Sequence, residues 1–157
     1  MPTKHTTIEV FGIEKVIRKL DNMNNAITSR LLMGNIGTFI KFLIDKRTHE
    51  GKDVQGKKFK PYAESYKSYR EKNQRPVDKV DFDFHGSMWD ALTFEYGSKS
   101  VRVFFQNTPD QYSSTHVTNA AKAFFLNEQR QFFALSDKDV KKIKEMVQKF
   151  IKNASKS

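Results

Sequence analysis

The chain contains no cysteine, which excludes disulfides, thiolate metal sites and cysteine nucleophiles together and leaves stability to packing. No apolar run comes near the roughly 20 residues that a membrane-spanning helix requires. The opening MPTKHTTIEV has no apolar signal-peptide centre, so synthesis and residence in the cytoplasm are expected. Acidic residues are in short supply: 18 Asp and Glu stand against 28 Lys and Arg, a net charge of +10. Such an excess favours phosphate backbones, anionic membranes or acidic protein surfaces without choosing among them. G-x-S-x-G, the P-loop, H-E-x-x-H and a glycine-rich phosphate loop after a strand are also missing, so no catalytic motif argues for an enzyme.

What is present is material for a core. Fourteen Phe and a hydrophobic fraction of 38% in 157 residues suffice for one domain spanning residues 1–157, with a frayed end at about 153–157. Alternation predicts a first strand at Thr6–Phe11, and helical spacing follows at Ile13, Val16, Ile17 and Leu20. Ile36, Phe39, Ile40, Leu43 and Ile44 repeat at i, i+3, i+4, i+7 and i+8, an amphipathic helix from about Asn25 to His49–Gly51. Gly34 and Gly37 each cost up to about 1 kcal/mol inside it, which implies that another element lies close against that surface. Gly51 suits a left-handed cap.

The basic stretch GKDVQGKKFKPY has no periodicity and reads as a long exposed loop, with a short helix in AESYKSYREKN. Strands are expected at Thr93–Tyr96 and Val101–Gln106 around a GSKS turn, and a helix at Asn119–Asn127. Ser136-Asp137-Lys138-Asp139 has the form of a capping box. It opens a helix to about Lys152 with Val140, Ile143, Val147, Phe150 and Ile151 on one stripe. The fold class expected is α+β: a small antiparallel sheet packed against a long amphipathic helix and a C-terminal helix, with a long basic loop.

Two stretches invite a chemical reading. In VDFDFHGSMWDAL (Val80–Leu92) a strand would set Asp81, Asp83 and His85 on one face, a pattern compatible with a divalent cation. No second ligand motif accompanies it. A half-buried strand with its polar face toward water or a partner, followed by a cap and a short helix, accounts for every residue. The second stretch, Gly51–Arg75, holds eight basic and three acidic residues, half of the net charge. Lys57, Lys58, Phe59, Lys60 and Tyr62 interleave cations with aromatics, as phosphate contact and base stacking would require, and Arg70, Lys72 and Arg75 extend the set toward a partner or DNA. Alternatively, Phe59 and Tyr62 pin a solvated loop to the core, the commoner use of such residues.

Three stretches in series, GKDVQGKKFKPYAESYKSYREK, VDFDFHGSMWDALT and RQFFALSDKDVKKI, resemble the phage virion-morphogenesis proteins. These are tail-completion and head–tail joining (neck) proteins of tailed bacteriophages and prophages. The resemblance rests on Asp53, Gly56, Phe59, Pro61 and Tyr62, on Gly86-Ser87-Met88 with Leu92, and on Arg130, Phe132 and Phe133 before Leu135-Ser136-Asp137. It covers about Thr48 to Phe150. It implies a non-enzymatic structural protein, made in the host cytoplasm and resident in the virion, without cofactor, metal or membrane. Self-association into a ring, such as a hexamer, and contacts with other neck and tail proteins are implied too. Arg130, Phe132 and Phe133 are then candidate assembly contacts, and the basic loop would touch DNA without sequence preference if the lumen passes it. The alternative is a small basic nucleic-acid-binding protein.

Overall fold

The computed structural model describes residues 7–10, 13, 15, 18 and 26–156. In chain order the elements are β1 (Thr7–Val10), α1 (Ala26–His49), α2 (Glu64–Lys72), α3 (Ser87–Asp90), β2 (Leu92–Tyr96), β3 (Val101–Phe105), α4 (Asn119–Gln129) and α5 (Asp137–Ala154). The strands form an antiparallel sheet in the order β1-β3-β2, so the architecture is α+β as expected. The helical spacing at Ile13–Leu20 falls largely outside the described residues.

The two-residue period of β3 sends Val101, Val103 and Phe105 into the core and Arg102 into solvent. Val103 pairs with Ile8 on one side and Phe94 on the other. The β2–β3 turn closes through the Gly97 N–H, which donates to the Ser100 carbonyl at 3.0 Å. Across the sheet lies α1, whose Leu32, Met33, Ile36, Ile40, Leu43 and Ile44 are buried, the apolar stripe read from the sequence. Both of its glycines face β2. A Cβ on Gly37 would lie 2.2 Å from the Phe94 ring, and one on Gly34 would lie 3.4 Å from the Tyr96 ring. Gly51 closes α1 at φ +76°, a conformation that glycine adopts without steric cost.

At the start of α5 the Ser136 hydroxyl accepts from the Asp139 N–H while the Asp139 carboxylate accepts from the Ser136 N–H. The capping box is complete. The helix runs to Ala154, past the expected Lys152, because Ser155 donates both its N–H and its hydroxyl to the Ile151 carbonyl. Val140 is the exception to the expected stripe, at 37% exposure.

One expected element is absent among the described residues: Val80–Phe84 is not a strand. Val80, Asp81 and Phe82 are buried in succession, and Phe82 takes φ +55°, a left-handed conformation uncommon for a bulky residue. The N–H groups of Asp81 and Phe82 both donate to the Tyr62 hydroxyl (3.2 and 3.1 Å), and that of Asp83 donates to the Asp81 carboxylate. A side chain thus satisfies the backbone in place of a neighbouring strand.

The contact between α1 and β2 is directly testable. Gly37→Ala is expected to lower the free energy of unfolding by about 1–3 kcal/mol through overpacking against Phe94. Gly34→Ala is expected to be neutral or to gain up to about 1 kcal/mol of helix propensity. Urea unfolding of both variants checks this, and equal effects would contradict the difference in approach.

Candidate interaction surface

The basic loop is an ordered structure. The Asp53 carboxylate accepts from the N–H groups of Gln55 and Lys57 at 2.9 and 2.8 Å, and Gly56 turns the chain at φ +82°. Lys52 and Lys58 form an antiparallel bridge. Two further ties join the loop to the segment before α5: the Val54 N–H donates to the Gln131 carbonyl at 2.8 Å, and Arg130 donates to the carbonyls of Lys60 and Pro61 at 3.2 and 3.4 Å.

This geometry divides the candidate residues. Lys57, Lys58, Lys60, Lys72 and Arg75 are exposed, but Phe59, Tyr62 and Arg70 are buried, Arg70 completely. Those three do not belong to a partner-facing surface. Phe59 lies 5.1 Å, centroid to centroid, from Phe82, which lies 5.0 Å from Phe132. The same burial corrects the assembly contacts, because Phe132 and Phe133 are core residues against Phe105. Arg130 is half-buried and spends its guanidinium within the chain.

Arg70 donates to the Pro76 carbonyl (2.7 Å), the Tyr62 hydroxyl (3.3 Å), the Asp81 carboxylate (3.2 Å) and the Asp83 carbonyl (3.1 Å). Its guanidinium also lies 4.8 Å from the centroid of the Tyr62 ring. Burial pushes the Tyr62 hydroxyl above the ordinary tyrosine range, against the opposing pull of the Phe82 N–H and Arg70. It therefore keeps its proton and donates to Asp81. These contacts also answer the question raised by Asp81, Asp83 and His85. Asp81 is buried against Arg70, Asp83 reaches His49 Nε2 at 3.4 Å, and His85 stacks on Tyr112 at 4.0 Å. The three side chains diverge, and among the described residues no cluster of His, Asp or Glu has the arrangement of a metal site.

Two surface features were not read from the sequence. Tyr66, Tyr69, Phe84, His85 and Tyr112 form a continuous run of rings, with neighbouring centroids 4.0 to 6.4 Å apart. Tyr69 and Tyr112 are 51% and 54% exposed. Three separate segments supply these rings, so no local pattern announces the patch. The other feature is a basic cleft between α1, the loop and α5. On the aromatic side Asp110 holds the loop before α4, accepting from the Ser87 hydroxyl, the Tyr112 N–H and Lys122 at 2.9, 3.1 and 3.2 Å. Burial alone would raise its pKa, but these donors outweigh burial and hold it below the usual carboxylate range.

Among the described residues no helix is long and apolar enough to cross a membrane. No protein-family model, curated protein or solved structure matches the chain.

Removing Asp81 leaves the Arg70 charge buried and uncompensated, so Asp81→Ala is expected to cost about 3–5 kcal/mol. Tyr62→Phe should cost about 1–3 kcal/mol, the penalty of unsatisfied buried donors. Chemical denaturation measures both, and losses below about 0.5 kcal/mol, the range of ordinary surface changes, would show that Arg70 is not an anchor. Asp110 carries a pH signature. A carboxyl with a lower pKa folded than unfolded lends stability above the unfolded value and loses it as pH falls through the folded value. Asp110→Asn should therefore lower the melting temperature at pH 7, with the gap narrowing below about pH 4. A gap independent of pH would contradict the assignment.

Proposed function

We propose that this chain is a structural assembly protein of a tailed bacteriophage or prophage virion, acting in tail completion or head–tail joining by forming an oligomeric ring. The observation that carries the proposal is the convergence of the three stretches behind the family resemblance. Phe59, Phe82 and Phe132, one from each, meet in two successive tilted ring contacts. Tyr62 satisfies the backbone of Asp81 and Phe82, and Arg130 and Gln131 hold the loop. Residues that share a motif series are thus residues that depend on one another physically. They form a scaffold in which these polar groups are committed to structure.

The exposed aromatics suit assembly. A ring requires unlike patches on neighbouring subunits, and Tyr-rich clusters supply much of the binding energy at protein interfaces. Tyr69 and Tyr112 make one such patch, while Phe42 on α1 and Phe125 on α4, 52% and 57% exposed, lie on other elements. In this proposal Tyr69 and Tyr112 take the place of Phe132 and Phe133 as assembly contacts.

Light-scattering mass across a concentration series tests the proposal. The expected result is a closed species whose mass stays at one multiple of the 18.3 kDa chain and falls in a Tyr69→Ala/Tyr112→Ala variant that still melts cooperatively. A monomer or dimer that takes up a short DNA duplex tightly and stoichiometrically at moderate salt would overturn it.

A further inference from the structure

The cleft between α1, the loop and the start of α5 has a volume of about 370 Å³ and is lined by Lys46, Arg47, Lys52, Lys138 and Lys142 together with Glu50 and Asp139. Much of this charge is already spent. Arg47 pairs with Asp139 and donates to the carbonyls of Phe132 and Ala134, and Lys52 pairs with Glu50 at 2.9 Å. The side chains of the remaining cations make no salt bridge among the described residues. Lys46 lies 5.7 Å from the Phe42 ring and feels Glu50 only at longer range, and the ammonium groups of Lys138 and Lys142 have no hydrogen-bond or ion-pair partner among the described residues.

Helix energetics disfavour this arrangement. Lys138 stands in the first turn of α5 between Asp137 and Asp139; the two carboxylates suit the helix dipole and the lysine opposes it, and Asp139 is already engaged by the Ser136 N–H and Arg47. Lys138 and Lys142 are four residues apart, so like charges face each other on one side of the helix. Neither lysine is buried, and neither serves the core. An anion in the cleft would offset both costs. The cleft's one exposed carboxylate already senses the local field: Glu50 is held below the usual carboxylate range by its hydrogen bond to Lys52, with Lys46 and Lys79 adding to the effect.

We propose that this cleft is a phosphate-binding site and that its ligand is the phosphodiester backbone of a nucleic acid, held without base readout. The site stands on a single protomer and does not depend on ring formation. A polyanion fits better than an acidic peptide because further exposed lysines adjoin the lining residues: Lys57 and Lys58 follow Gly56 in the loop, Lys58 bridges to Lys52, and Lys141 precedes Lys142 on α5. Such a spread of cations suits a ligand of uniform repeating charge. It also excludes Arg70, whose donors are spent in the interior.

The test is fluorescence anisotropy of a labelled duplex of about 20 base pairs, two helical turns, titrated with the full chain over a range of salt. The logarithm of the association constant should fall linearly with log salt. Lys138→Ala/Lys142→Ala should weaken binding about tenfold at low salt and make the slope shallower by about 1.8, the share of two phosphate contacts. A thermal melt establishes that the variant is folded. Lys72→Ala/Arg75→Ala, outside the cleft, should bind like the unaltered chain. No binding at low salt would overturn the proposal, as would an equal loss in both variants. Displacement of the duplex by polyglutamate at equal charge concentration would reassign the cleft to an acidic protein. Saturation by inorganic phosphate at micromolar concentration, with nothing gained from DNA, would make it a small-anion pocket instead. Absence of DNA binding would leave the assembly proposal standing, whereas tight stoichiometric binding by a monomer would remove that proposal and leave the cleft.

Discussion

A guanidinium completely withdrawn from water must be met on all sides, and the arrangement around Arg70 follows from that requirement. An isolated buried charge costs far more than a domain's whole stability margin, so every nearby acceptor has to be in position. Asp81 supplies the countercharge, the carbonyls of Pro76 and Asp83 take two more N–H groups, and the Tyr62 hydroxyl takes another. These acceptors span the loop end, the turn after α2 and the segment before α3. Meeting one charge therefore organises three pieces of chain that lack a regular ladder of their own. Phe82 is part of the same solution: its left-handed backbone is tied to Tyr62 and its ring is sent between Phe59 and Phe132.

A second arginine plays a similar part near the C-terminal end of α1. Arg47 joins Asp139, itself half of the α5 capping box, to the carbonyls of Phe132 and Ala134. The helix start, the aromatic segment and the long helix are thereby fixed to one another. Basic residues in this chain thus divide into two populations. Arg47, Arg70 and Arg130 have planar forks that suit several acceptors at once, and they are used internally; the lysines, point charges on flexible stems, populate the surface together with Arg75 and Arg102.

That division explains what could be read from the sequence. Periodic elements were legible because burial enforces their period: the α1 stripe, the alternation of β3 and the Ser136 cap all lie where spacing placed them. Gly34 and Gly37 correctly announced a close neighbour, since their cost inside a helix needs a packing reason. Val80–Phe84 misled because its alternation mimics a strand, whereas the outcome depends on Tyr62, about twenty residues away in the chain, satisfying its N–H groups. Phe132 and Phe133, and Arg70 within a basic run, were assigned outward because charge and aromatic content do not reveal burial when the partner is remote. The aromatic run from Tyr66 to Tyr112 and the lysine cleft are assembled from separate segments, so local sequence carried no sign of either.

Ordered loops, committed polar groups and exposed aromatics on several elements are the features on which the assembly proposal rests. The proposed joining is heterologous and closed. Lysine cross-linking of concentrated protein, mixed from isotopically heavy and light chains and mapped by mass spectrometry, tests it most directly. Links between heavy and light chains should join an element near α2 to an unlike surface, and should not join any residue to its own copy. Inter-chain links that join residues of one patch to their own copies would indicate a two-fold dimer, and links found only within single chains would indicate a monomer; either would contradict the ring.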